Sequence, residues 1–228
     1  SALVQPLARG LAIERASRIV DLRRIEREWR LETAAGPDTR RFDAVVLAIP
    51  PAQASELLDE HAPFHEALAR VELAPCWSAL VTFSHATGLA ADVLLGEPGT
   101  AVAWAARESS KPGRAAAPEA WVLHAAPDWS RTALDADSQS VATRLLHDFG
   151  RLAGTALPAP SLLLAHRWRH SRVERALGAT HLLDRTLALG LCGDWCLAAR
   201  AEAAFDSGQA LAAALVARFD LPRRLAPQ

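Results

Sequence analysis

Gly193 and Asp194 lie between the apolar run Leu187–Cys192 and a long alanine-rich stretch, and their types and spacing suit the holding of a ligand. The apolar run reads as a buried strand ending in Gly193-Asp194, and a helix is expected from near Arg200 to about Val216. An aspartate at a strand end accepts hydrogen bonds from hydroxyls, and glycine lets a ligand approach the backbone. The helix start adds unpaired N–H groups and the positive end of a dipole, which attract anionic or electron-rich atoms. That combination fits a molecule rich in hydroxyls and negative charge. The same spacing also serves an ordinary buried strand–helix unit that binds nothing.

Other chemistry finds less support. Cys192 and Cys196 flank Gly193-Asp194-Trp195 in a C-x3-C spacing, where metal and redox pairs use C-x2-C. His166 and His170 are four apart, but Arg167 occupies the position of a metalloprotease glutamate, and the surrounding LLLAHRWRH reads as a strand. No metal site is expected, and the three cysteines are expected to be small buried apolar residues rather than a disulfide framework. No Ser-His-Asp set or paired-carboxylate motif stands out.

The elements that must position Asp194 come from both ends of the chain. Phe42 to Gln53, FDAVVLAIPPAQ, is a continuous apolar run of the kind found in parallel strands buried on both faces, followed by Pro50-Pro51 and a helix over about Ala52–Leu58. Ser1 to Gly10 reads as a helix, with Leu3, Leu7 and Leu11 at helical spacing. Short strands are expected at Leu11–Glu14, Arg18–Arg23 and Trp29–Thr33, then a turn at Gly36-Pro37-Asp38.

With these pieces in order, the chain resembles the C-terminal part of the FAD-dependent amine oxidase superfamily, particularly its bacterial renalase-like branch. The resemblance rests on Gly193-Asp194-Trp195, Arg200-Ala201-Glu202-Ala203-Ala204, Ser207-Gly208 and the DAVVLAIP strand. Ala201 stands where a larger apolar residue is usual, and Ala203 replaces a glycine, so its methyl group is expected to push the helix slightly away from a flavin ring. The resemblance implies that Ala48, Ile49 and Pro50 border the adenosine half of FAD. It also implies that the backbone of Ile19 or Val20 pairs with the adenine edge, although Ile19 serves equally as strand core. Gly193 and Asp194 would meet the ribityl hydroxyls. The helix start at Arg200, Ala201 and Glu202 would face the N1–O2 edge of the ring. The chemistry implied is hydride transfer from an amine or a reduced nicotinamide, NAD(P)H, to flavin N5.

None of the 12 glycines forms a G-x-G-x-x-G turn or a Walker loop. Together with Ser1 in place of a methionine, this leads to the expectation of a C-terminal part whose partner is the N-terminal remainder of the same protein. The fold class expected is α/β plus α+β: part of a Rossmann-like FAD-binding domain without its first βαβ unit, and an antiparallel-sheet substrate domain. The FAD-binding parts are expected over 1–62 and 171–228, and the substrate domain over 63–170.

In that middle region, strands are expected at Cys76–Phe83, Thr100–Ala106, Trp121–Ala125 and Ser161–Trp168, with a hairpin loop over Ser109–Pro118. An amphipathic helix over about Ala136–Leu152 presents Val141, Leu145, Leu146 and Phe149 on one stripe, with its cap within Asp135–Ser138. Trp77, Trp104, Trp121, Trp129 and Trp168 all fall here; each serves as core unless it lines a pocket for a flat substrate. Trp168, His170 and Trp195 are the candidates for residues near the reacting atoms.

Composition sets the outer bounds. Half of the 228 residues are hydrophobic and 22% are charged, the balance of a globular chain with one large domain or two small ones. A net charge of −1 disfavours a nucleic-acid partner. The near-exclusive use of Arg over Lys reads as coding bias, and Lys111 is the single lysine. No apolar run is long enough for a bilayer, so a cytoplasmic protein with a small-molecule substrate and no membrane partner is expected. Two rival readings remain: a non-catalytic α/β binding module that has lost the cofactor, and a nicotinamide-dependent reductase without flavin.

Overall fold

The computed structural model describes residues 4–58 and 63–219 and divides into two compact units. One comprises Ser1–Val71 and Ala176–Gln228, the other Glu72–Arg175. In chain order, the first unit holds β1 (Ile19–Ile25), β2 (Glu28–Thr33), β3 (Gly36–Pro37), β4 (Val45–Leu47), α1 (Pro51–Leu57) and α2 (His65–Ala69). The second holds β5 (Glu72–Phe83), β6 (Val93–Leu95), β7 (Val102–Arg107), β8 (Glu119–Ala125), α3 (Pro127–Thr132), α4 (Ser138–Ala153) and β9 (Pro160–Arg175). The chain then completes the first unit with β10 (Leu182–Asp184), β11 (Leu189–Leu191) and α5 (Ala201–Phe219).

The first unit is α/β. β11 runs parallel to β4, with Leu189 opposite Val45 and Leu191 opposite Leu47, and β10 joins β11 antiparallel. α5 descends onto this sheet at Gly190, where a Cβ atom would lie 2.6 Å from Leu211 Cδ1. Glycine at that position leaves room for the Leu211 side chain. β1, β2 and β3 form a separate antiparallel sheet that is tied to β11 by Trp29, whose indole N–H donates to the Leu187 carbonyl at 2.9 Å.

Several local expectations are corrected here. The long apolar run yields a strand only at Val45–Leu47, because Pro50 and Pro51 carry no N–H for a ladder and the chain turns into α1. Of the expected N-terminal helix, Ser1–Leu3 lie outside the described residues, and the remainder forms only a 3-10 turn at Pro6–Ala8. Leu11–Glu14 is irregular, and Gly36–Pro37 pairs with Thr33 and Glu32 instead of turning.

The second unit is α+β: a five-stranded antiparallel sheet in the order β6-β7-β8-β5-β9 with α4 packed on one face. β5 alternates cleanly, so Trp77, Ala79, Val81 and Phe83 enter the core while Cys76, Ser78, Leu80 and Thr82 face the other way. Val141, Leu145 and Phe149 of α4 cover the core side, and the Phe149 ring sits 5.0 Å from that of Trp121. Asp137 caps α4 by accepting from the Ser140 and Gln139 N–H groups, and Gly154 closes it in a left-handed conformation with φ 66°. β6 was not legible in the sequence, since three apolar residues carry no period.

Candidate functional site

The Gly193 turn is assembled from strand ends brought side by side by the parallel pairing of β4 and β11. The Cys192 N–H donates to the Leu47 carbonyl at 3.1 Å, which extends the ladder to the mouth of the turn. The chain then bends through a 3-10 turn over Asp194–Cys196. The Trp195 indole N–H donates to the Ile49 carbonyl at 3.1 Å, fastening this turn to the segment after β4. From α5, the Ser207 hydroxyl accepts the Gly193 N–H at 3.0 Å. A Cβ atom on residue 193 would fall 2.4 Å from the Trp195 indole nitrogen, so the indole occupies the space a side chain would need.

Ala48, Ile49, Pro50, Gly193, Asp194 and Trp195 therefore lie together. Asp194 is half-buried; one carboxylate oxygen accepts the Trp195 N–H at 2.9 Å, leaving the second able to take a hydroxyl. Trp195 is 2% exposed and its N–H is committed, so it holds the turn in place rather than meeting a substrate. Arg200, Ala201 and Glu202 are exposed at the start of α5, and the Arg200 guanidinium lies 3.8 Å from Asp206. Ala203 is fully buried, so its methyl group packs inside the unit instead of projecting outward.

Ile19 and Val20 are on β1, where the pairing with β2 slips between Ile19 and Asp21. This bulge leaves Val20 without an opposite residue and half-exposed.

Trp168 and His170 belong to the second unit, both exposed on β9. The Trp168 ring meets His166 edge-on at 4.4 Å. Trp77 and Trp121 are core residues and Trp129 packs against the same cluster, which leaves Trp104 and Trp168 on the outward face. Burial pushes the thiols of Cys192, Cys196 and Cys76 above their ordinary value, keeping them protonated and poor nucleophiles. Among the described residues, no group of three or more His, Cys, Asp or Glu is placed to hold a metal ion, and no helix is long and apolar enough to cross a membrane.

Sequence reasoning missed the Ile49–Trp195 bond, which joins residues 146 apart. The Gly193–Ser207 bond had a faint signal, a serine fourteen residues on within the alanine-rich helix.

The family model described as flavin containing amine oxidoreductase matches residues 1–216. Among solved structures, a protein assigned as a protoporphyrinogen oxidase from Exiguobacterium sp. 255-15 is similar at 17% identity with a TM-score of 0.72, over 95% of this chain and 51% of that one. Wild-type putrescine oxidase bound to putrescine is similar at 10% identity with a TM-score of 0.63, over 88% of this chain and 48% of that one. A redesigned variant of putrescine oxidase gives 12% identity and a TM-score of 0.65. At these identities the likeness is one of fold, and the chain spans about half the length of the solved structures it matches.

Proposed function

The chain belongs to the family of flavin-containing amine oxidoreductases, and on that premise we propose that it is the C-terminal part of a renalase-like, FAD-dependent oxidoreductase. The observation that carries this reading is the joining of residues 48–50 to the Gly193-Asp194 turn by the Trp195–Ile49 hydrogen bond. The residues present fit a flavin nucleotide. Gly193 lets the Trp195 indole fill the place of a side chain and so brings the turn against residues 48–50, Asp194 keeps a second carboxylate oxygen for a hydroxyl, and Ala201 and Glu202 open a long helix at the surface. Buried Ala203 offers no obstruction there.

In this reading Asp194 holds a ribityl hydroxyl, and Ala48 to Pro50 flank the adenosine half. The backbone at the Ile19–Val20 bulge meets the adenine edge. The N–H groups at the start of α5 stabilise negative charge beside them. Flavin, when bound, supplies the redox chemistry, accepting a hydride from an amine or a reduced nicotinamide.

The N-terminal remainder is the partner we assign to the free edge of β4. Among the described residues that strand pairs with β11 on one side only, and Val46 is 44% exposed, whereas parallel strands are ordinarily enclosed. We place the complete protein in the cytoplasm, acting on a small molecule, with no nucleic-acid or membrane partner. The deciding experiment is the near-ultraviolet and visible absorbance spectrum of the complete protein. Paired flavin bands that bleach on adding an amine or a reduced nicotinamide support the reading and identify the reductant. A spectrum that stays flat after FAD is added refutes it.

A further inference from the structure

A groove of about 730 Å³ opens in the first unit between β1 and α1. Residues 21–25 form one wall and residues 56–58 the other, with Trp29, Leu187 and Leu189 between them. It lies away from the Gly193 turn. Leu189 begins β11 and Leu57 ends α1, whereas the turn follows the end of β11 and Pro50 precedes α1.

Five consecutive strand residues can border one cavity only along their backbone, because their side chains alternate between two faces. Among the described residues β1 pairs with β2 alone, so this wall is its free edge. The register shows which groups it offers. Ile25 and Glu28 flank a two-residue turn and form the hydrogen-bonded pair that closes it. Bonded pairs alternate along an antiparallel ladder, so Ile25, Arg23 and Asp21 direct their backbone groups to β2, and Leu22 and Arg24 direct theirs to the groove. The Leu22 N–H, pointing away from β2, donates to the Asp21 carboxylate at 2.9 Å. The Leu22 carbonyl and the Arg24 N–H and carbonyl remain, a short template for another strand.

Side chains narrow what that strand carries. Arg24 reaches over the Trp29 ring at 5.9 Å and donates to the Thr186 carbonyl at 3.0 Å. No carboxylate among the described residues pairs with this half-buried guanidinium, whereas Arg23 is paired with Asp21 at 2.5 Å. Glu56, on the opposite wall, also lacks an ion pair but is exposed, so water screens it. The stronger unmet charge is that of Arg24, and it calls for a carboxylate. Beside it, buried Trp29 and Leu189 with half-buried Leu57 and Leu187 make an apolar floor.

The shape of the groove narrows the source. α1 forms the far wall, so a single extended segment enters. A second copy bringing β1 with β2 about 4.8 Å behind it meets α1. The N-terminal remainder, as assigned above, joins β4 on the side away from β11, and the groove borders β11.

We propose that an extended segment of a separate protein adds antiparallel to β1 in this groove, with an acidic side chain against Arg24 and, two residues later, an apolar side chain on Trp29 and Leu57. The acidic residue exchanges both backbone hydrogen bonds with Arg24, and the apolar one donates its N–H to the Leu22 carbonyl. The choice of a separate protein rests on the place given to the remainder; the strand addition does not.

The test is calorimetric titration of the 228-residue chain, and of the complete protein, with the capped peptide acetyl-TETLT-amide. Both are expected to bind it. Glutamine in place of the peptide's glutamate weakens binding by about three- to tenfold, the worth of a partly buried ion pair, and Arg24→Gln abolishes this preference. N-methylation of the peptide's glutamate and leucine keeps both side chains and removes the N–H groups aimed at β1, weakening binding at least about tenfold. Circular dichroism checks the fold of Arg24→Gln, and the altered peptides need no variant. Three results each overturn the proposal: no binding, equal binding of the N-methylated peptide, or equal binding of the glutamine peptide. Binding to the 228-residue chain that the complete protein lacks also overturns it, by giving the groove to the remainder. So does a dimer in sedimentation that the peptide disperses, which gives the edge to a second copy. A complete protein that binds the peptide yet never takes up FAD refutes the flavoenzyme reading and leaves this one standing.

Discussion

The Trp195 indole N–H donates to the Ile49 carbonyl at 3.1 Å, across 146 residues of chain. This bond fastens the Gly193 turn to the segment that leaves β4. The indole also fills the space beside Gly193, so one side chain sets the position of both pieces of the proposed cofactor site.

Trp195→Phe removes the indole N–H and the part of the ring that fills the space beside Gly193. It is expected to destabilise the chain by about 1–3 kcal/mol, through a carbonyl left without its partner and a small void. Urea unfolding of variant and parent provides the comparison, and equal midpoints would remove the bond from the account of the site.

Asp194→Ala in the complete protein is expected to lower flavin occupancy without altering the fold, because Asp194 is half-buried and its loss opens no core cavity. The ratio of flavin to protein absorbance reads this directly. Full occupancy would dismiss Asp194 from ligand binding.

Gly190→Ala is expected to cost about 1–3 kcal/mol by overpacking, since the new methyl group would lie 2.6 Å from Leu211 Cδ1. Leu211→Ala alone is expected to cost about 2–5 kcal/mol as a cavity. Combined, the two should cost less than their sum, because the added methyl enters the vacated space. Strict additivity in a double-mutant cycle would show that α5 does not press on the sheet at Gly190.

Glu119 supplies the pH dependence of the second unit. Burial pushes its carboxyl up, but hydrogen bonds from Thr87 and from the Trp121 indole, with the Arg107 charge, outweigh it and hold it below its ordinary value. Arg107 Nε approaches to 3.3 Å off the hydrogen-bonding axis, so the contact is an ion pair rather than a hydrogen bond. A carboxyl lowered in the folded state adds stability that is complete above its unfolded value, about 4.3, and fades as pH falls through the folded one. Glu119→Gln should therefore lower stability at neutral pH and flatten its decline in acid. Parallel acid limbs for variant and parent in thermal unfolding would contradict this.

Much of this was already determined by the sequence alone, wherever the physics is local. The stripe Val141, Leu145 and Phe149 declares α4, and the stretch Asp135–Ser138 declares its start, since both signals act within a turn or two of helix; the structure selects Asp137 as the cap. The alternation along β5 likewise declares which residues enter the core. Gly193-Asp194 ahead of the alanine-rich run marks where a ligand could be held, because glycine, carboxylate and helix start act on their nearest neighbours. Only the tertiary structure decided the rest. It shortened the DAVVLAIP run to three paired residues, since a strand extends only as far as its neighbour pairs with it. It turned Trp195 from a candidate for contact with substrate into the clasp on Ile49, and it buried the Ala203 methyl group. It also gathered His124, Ser78 and His166 onto one rung, because register between strands far apart in the chain is set by the packing of the whole sheet.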